Sequence, residues 1–194
     1  MNSAAEKKTK KIIVGVTGAS GAIYAKLLIE KLYTLGSQIE DCALVFSDNA
    51  KDVWHYELGD DSWKTLPFKS YASNDFFAPA ASGSAGYNTM IICPCSVATL
   101  GRIANGISTD LMTRSADVML KERKKLILCV REMPYSIIHL NNMKIATEAG
   151  AVICPASPSF YSQPADITAL SYTVVDKLLA LAGFEFERYR WGEK

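Results

Sequence analysis

Apolar residues come in short unbroken runs, at 12–16, 42–46, 89–93, 126–130 and 151–154, and are separated by longer stretches with a helical rhythm. A strand buried on one face alternates apolar and polar residues, whereas a strand covered on both faces reads as a continuous apolar run. The five runs therefore predict strands of a parallel sheet lying between two helical layers. The first intervening helix places Ile23, Leu27, Leu28, Leu32 and Leu35 on one side, with Gly36 as its expected stop. Further helices are expected over 49–56, 96–105, 110–122, 137–149 and 166–182. The predicted fold is a three-layer α/β domain, Rossmann-like or flavodoxin-like.

Two stretches interrupt this alternation. Residues 78–87 and 155–164 are rich in Gly, Pro and Ser. In open α/β sheets ligands sit at the carboxyl ends of the strands, so loops there are where chemistry is sought.

With 194 residues, 49% hydrophobic and 21% charged, the chain suits one folded domain with a full core. No internal repeat or linker divides it. A flexible basic leader is expected over 1–10, followed by a single domain over 11–194. The formal charge is +1, and Lys7, Lys8, Lys10 and Lys11 sit at the start against Glu6 alone, so the remainder is slightly acidic. Such a body lacks the basic surface that nucleic-acid binding requires. No apolar run approaches the ~20 residues of a membrane span, and the run at 12–16 is too short for a signal sequence. A cytoplasmic protein is expected. Four of its five cysteines fall in apolar runs, as small buried hydrophobes. The Cys93-Pro-Cys95 spacing does not suit zinc, so no metal is expected.

Three constellations carry candidate chemistry. The first strand runs through Gly15-Val-Thr-Gly18-Ala-Ser20-Gly21 into a helix. Glycines allow a sharp turn and close approach, and a helix N-terminus offers amides to a phosphate. A tight turn without a ligand would look the same. Short-chain reductases use a similar turn, with Asp48 placed as a ribose acid, yet no Tyr here has a Lys four residues later. Second, Cys93-Pro-Cys-Ser96-Val-Ala-Thr99 is again a strand end with a Ser/Thr cluster, where Ser96 can also serve simply as a helix cap. Third, the charged run 121–125 reads mainly as a solvated helix end. Arg131 differs: it follows a buried strand directly, where a cation is expected to need an anionic partner.

These strings, taken with Ala81-Ser-Gly-Ser84, Ala116-Asp-Val, Leu120-Lys-Glu-Arg123, Val130-Arg-Glu132, Phe160-Tyr-Ser-Gln-Pro164 and Arg190-Trp-Gly-Glu193, resemble the UbiX/Pad-type flavin prenyltransferase family, in order, from Lys11 to the end. The resemblance implies that Gly18, Ala19, Ser20, Ser47, Ser96, Val97, Ala98, Thr99 and Arg131 hold flavin mononucleotide (FMN). It implies a prenyl phosphate pocket of Lys121, Arg131, Glu132, Tyr161 and Lys177, with Arg114 from a neighbouring subunit. It places Ser20, Glu57, Lys121 and Glu132 in the catalytic machinery, Glu57 handling a proton. Phe76, Tyr161 and Trp191 are implied as aromatic walls.

The implied reaction moves a dimethylallyl group from dimethylallyl monophosphate to N5 of reduced FMN, with ring closure onto C6. The implied partners are a prenyl-FMN-dependent decarboxylase, which receives the product, and further copies of the chain, commonly twelve. The residues agree: Asp60-Asp61 lacks the further Asp of magnesium-binding prenyl-diphosphate motifs, and fixed cations can hold a leaving phosphate instead. The chain differs from the family at Phe76, often Trp, at Lys177, often Arg, and at Asp48, often basic. Flavin-dependent cysteine decarboxylases share the fold but carry a His before the 89–93 strand, where Phe76 and Phe77 stand here. A flavin-delivery subunit for a decarboxylase is the non-enzymatic alternative.

Overall fold

The computed structural model describes residues 9–192; most of the expected leader lies outside them. The strands are β1 (Lys10–Val16), β2 (Ile39–Phe46), β3 (Lys69–Tyr71), β4 (Thr89–Cys95), β5 (Lys125–Val130) and β6 (Val152–Ile153). The helices are α1 (Ala22–Thr34), α2 (Asp48–Leu58), α3 (Val97–Ala104), α4 (Leu111–Lys121), α5 (Ile137–Glu148) and α6 (Ile167–Leu181). Strand β1 begins at Lys10, the last residue of the expected leader.

All strand pairs are parallel, in the order β3-β2-β1-β4-β5-β6. This is the doubly wound Rossmann order rather than the flavodoxin order. Alternate side chains of each strand feed two cores. Ile12, Val14, Leu44, Ile91 and Ile127 join Leu28 and Leu32 of α1 and Val175 and Leu178 of α6. Ile13, Val45, Met90, Ile92 and Leu128 join Leu100 of α3, Met112 of α4 and Ala146 of α5. A fully buried Leu or Ile contributes roughly 1.5–3 kcal/mol, so the central strands hold both layers in place. At Gly15 an added Cβ would come within 3.3 Å of Ile92 and Met112, so this glycine lets α4 lie close to the sheet.

Two local expectations are corrected. Helix α1 ends at Thr34 with Leu35 as its cap, and Gly36 opens a separate 3-10 turn. Strand β3 was not expected: Lys69-Ser-Tyr71 is short and polar, and forms a strand only because β2 offers it an edge.

Candidate functional site

Chain connections diverge to opposite sides of the sheet between β1 and β4, which opens a crevice at their carboxyl ends. Thr17 joins the two turns there. Its hydroxyl donates to the Pro94 carbonyl at 2.7 Å and accepts from the Ser96 amide at 2.9 Å. Thr17 is buried, so these bonds fix the spacing of the two turns.

On one side, Gly18 lies against α2: a Cβ there would stand 2.6 Å from that of Asn49. Gly21 has φ +109°, which favours glycine. The Gly21 and Ala22 amides, expected to be open to a phosphate, instead donate to Glu57. Its carboxylate accepts from Gly21 at 2.9 and 3.1 Å and from Ala22 at 2.7 Å. A carboxylate carried by the last turn of α2 thus complements the dipole of α1. Ser20 is exposed beside it.

On the other side, Ser96 caps α3, accepting from the Thr99 amide at 3.3 Å and donating to the Thr99 hydroxyl at 3.1 Å. The amides of Val97 and Ala98 have no partner among the described residues, and form the open donor pair of this edge. Ser47 caps α2 in the same way, accepting from the Ala50 amide at 3.2 Å.

Next to this edge lies a cleft of about 760 Å³. Ser20, Tyr24 and Glu57 line one wall, Arg131 and Glu132 the opposite wall, and Leu170 the α6 side. Beneath it the strand register sets Cys93, Cys129 and Cys154 side by side. Hydrogen bonding between Cys93 and Cys129, together with burial, raises the Cys93 thiol well above its usual range. Burial and then Cys129 push the Cys154 thiol up to about 11 against the opposing charge of Lys177. Burial also raises the Tyr24 hydroxyl, with Arg131 opposing. These thiols are buried and do not line the cleft; its own apolar lining includes Ile23, Leu58, Val130 and Pro134, a surface suited to a flat aromatic ring.

Arg131 departs from expectation. It is exposed, and its guanidinium meets no acid at ion-pair distance among the described residues. Solvent meets its charge, so no desolvation cost demands a built-in partner, and it stands at the cleft as an open cation. Glu132 is half-buried, and its carboxylate accepts from the Met133 amide at 3.0 Å.

Other expected residues do not enter this cleft. Lys121 pairs with Glu122 at 2.9 Å on the exposed end of α4. Arg114 donates to the Ala81 carbonyl at 3.2 Å and to Asp117 at 3.0 Å. Phe76 lies half-exposed in the loop after β3. Lys177 lines a second cavity, on the other side of α6. Tyr161 and Trp191 touch each other through their rings. Asp60 and Asp61 serve structure: Asp60 accepts from the Ser62 amide and the Trp54 indole, and Asp61 pairs with His55 and Lys64. Sequence reasoning missed Thr17 and Tyr24 as site residues. Thr17 had a visible signal, being the only side chain with a hydroxyl between the strand and Gly18.

Fold and site together define a nucleotide-binding α/β protein of the flavoprotein class. The family model described as "Flavoprotein" matches residues 1–181. A Methanocaldococcus jannaschii protein named Flavin prenyltransferase UbiX is 42% identical over 186 residues, covering 94% of this chain and 98% of that one. Among solved structures, AnUbiX (PadA1), in complex with FMN and dimethylallyl pyrophosphate, superposes with a TM-score of 0.89 at 39% identity, over 96% of this chain and 100% of that one. A dodecameric FMN-dependent UbiX-like decarboxylase from Escherichia coli O157:H7 gives 0.86 at 36% identity, over 93% and 98%. The chain belongs to the flavin prenyltransferase family.

Proposed function

We propose that the protein binds reduced FMN in the cleft and prenylates it, taking a dimethylallyl group from dimethylallyl monophosphate and releasing phosphate. The observation that carries this reading is the cleft's charge pattern: an apolar lining that includes Ile23, Leu58 and Val130, with the Glu57 carboxylate and the open Arg131 guanidinium both lining it. Flavin supplies the nucleophilic N5 and the C6 carbon that closes the new ring. The residues supply the rest. The Val97 and Ala98 amides, with Ser47 and Ser96 near them, suit the nucleotide phosphate. Arg131 attracts the donor phosphate as a fixed cation. Glu57, held by two backbone amides, is placed to accept a proton from the cleft. Tyr161 and Trp191 offer ring faces to an allylic cation.

The remaining donor ligands belong, in this reading, to a neighbouring copy. Lys121 stands before β5 and Arg131 directly after it, so about 20 Å of strand separates them at ~3.3 Å per residue. They sit beyond opposite ends of this strand and, in this reading, share a ligand only between two chains. The outer face of α5 supports association: Ile137, Ile138, Leu140 and Ile145 are exposed, and Ala146 is that helix's one buried residue. A homo-oligomer, with a dodecamer as its full form, places such faces against one another. A decarboxylase that uses prenylated FMN is the recipient of the product. No helix among the described residues is long and apolar enough to cross a membrane.

The test is direct. The protein is mixed anaerobically with reduced FMN and dimethylallyl monophosphate, and the flavin is analysed by mass. A flavin heavier by one prenyl unit supports the reading, and unchanged flavin under saturating donor refutes it. Glu57→Gln is expected to lower turnover by at least about a hundredfold, the usual scale for a lost general base.

A further inference from the structure

Arg102 stands on α3, one turn after Thr99 and on the same face. Its backbone carbonyl accepts from the Ile107 amide at 2.8 Å, closing the turn that leads out of the helix. Its guanidinium is divided between two sides. One nitrogen donates to Asp110 at 2.8 Å and to the Thr109 hydroxyl at 3.3 Å, and the other donates to the Thr99 hydroxyl at 3.4 Å. Asp110 is itself held. Its second carboxylate oxygen accepts from the Thr113 amide and hydroxyl, both at 2.8 Å, as the cap of α4. The start of α4 therefore fixes Arg102, and Arg102 in turn fixes Thr99.

The consequence lies in the direction of the protons. Ser96 donates to the Thr99 hydroxyl oxygen at 3.1 Å, and Arg102 donates to the same oxygen. A hydroxyl has two lone pairs and one proton. Both lone pairs of Thr99 are thus engaged, and none of its bonds among the described residues uses the proton. A guanidinium carries donors only, so it cannot take that proton. The proton is left for the ligand edge, beside the open amides of Val97 and Ala98. An ionised phosphate accepts at its oxygens and needs such donors. Asp110 balances the charge of Arg102, so the arginine acts by orienting the hydroxyl rather than by attracting the ligand directly.

We propose that Arg102 is a positioning residue for the nucleotide phosphate: it holds Thr99 with its hydroxyl proton turned to the ligand edge, so that Val97, Ala98 and Thr99 form a cradle of three donors. This rests on the flavin reading of that edge, which places the phosphate there.

Fluorescence titration of the flavin-free protein with FMN and with riboflavin, which lacks the phosphate, tests this. The unaltered protein is expected to prefer FMN. In R102M, FMN affinity should fall about tenfold, the scale of one hydrogen bond to a charged group, while riboflavin affinity changes less than about twofold. T99V should show the same selective loss. Adding R102M to T99V should lower FMN affinity no further, because the arginine acts through that hydroxyl. Riboflavin binding also shows that each variant still folds around the flavin ring. Equal losses for both flavins in R102M overturn the inference in favour of a mere staple between α3 and α4, and so does a second full loss in the double variant. An FMN preference untouched by R102M overturns the role of Arg102 alone. No FMN preference in the unaltered protein removes the phosphate from this edge, and the flavin reading of the edge falls with it.

Discussion

The rings of Tyr161 and Trp191 meet edge to face, with centroids 4.8 Å apart and planes at 63°. Both stay largely exposed, at 69% and 77%, so core burial does not explain the contact. Two exposed aromatic faces joined outside the cleft can instead, in the prenyl-transfer reading, attract a developing allylic cation. Trp191→Ala is therefore expected to lower the prenylation rate about tenfold, from a loss of roughly 1–2 kcal/mol of cation–π attraction. The thermal midpoint should barely move, because exposed substitutions usually cost less than about 0.5 kcal/mol. Trp191→Phe should recover part of the rate. Single-turnover kinetics and a melting curve together check this; a melting loss equal to the rate loss would make the contact merely structural.

Thr17 gives the opposite pattern. Its hydroxyl bridges the Pro94 carbonyl and the Ser96 amide inside the protein. Thr17→Val keeps the shape and removes both bonds, leaving buried polar groups that cost about 1–3 kcal/mol. Urea unfolding should show that loss, and FMN affinity should fall as the two turns drift apart. Thr17→Ser should restore most of both. Wild-type FMN affinity in a destabilised Thr17→Val protein would mean that the bridge supports the fold without shaping the site.

Much of this was legible in the sequence, for a physical reason. Strands covered on both faces must be apolar throughout, so β1, β2, β4 and β5 announced themselves, and Ser96, readable as a cap, does cap α3; the caps that Ser47, Asp110 and Asp166 form became visible only in the structure. Strand β3 stayed hidden because Lys69-Ser-Tyr71 takes its conformation from a neighbour. The glycine turn was readable, but not its occupant: the Glu57 carboxylate reaches the Gly21 amide only once α2 has packed beside α1. Arg131 was placed at the correct edge with the wrong exposure, since the strand's burial does not extend to the residue that leaves it.

The turn after α2 should be one source of acid sensitivity. Hydrogen bonds from the Ser62 hydroxyl and amide, and from the Trp54 indole, hold the Asp60 carboxyl below its ordinary 3.8. A carboxyl lowered on folding contributes stability that is present above its unfolded value and disappears as pH falls through its folded value. Asp60→Asn should thus lower the melting temperature at pH 7, and the difference from wild type should shrink as pH falls below about 3.8. A constant difference across that range would assign the effect to lost geometry rather than to charge.

The placement of Lys121 and Arg131 at opposite ends of β5 makes the strongest claim about assembly. If each donor site takes its lysine from one copy and its arginine from another, Lys121→Ala and Arg131→Ala proteins will each be inactive alone. Co-assembled, they should recover activity, because some junctions combine an intact Lys121 from one variant with an intact Arg131 from the other. Random mixing makes such junctions roughly a quarter of the total, which bounds the recovery. Prenylated FMN is measured after co-expression in equal amounts, with a Lys121→Ala/Arg131→Ala double variant mixed with wild type as control. Recovery in the first mixture shows sites built across copies. Its complete absence, with mixed assembly confirmed by mass, would mean that the two cations do not serve one ligand at all, because within a single chain the strand holds them apart.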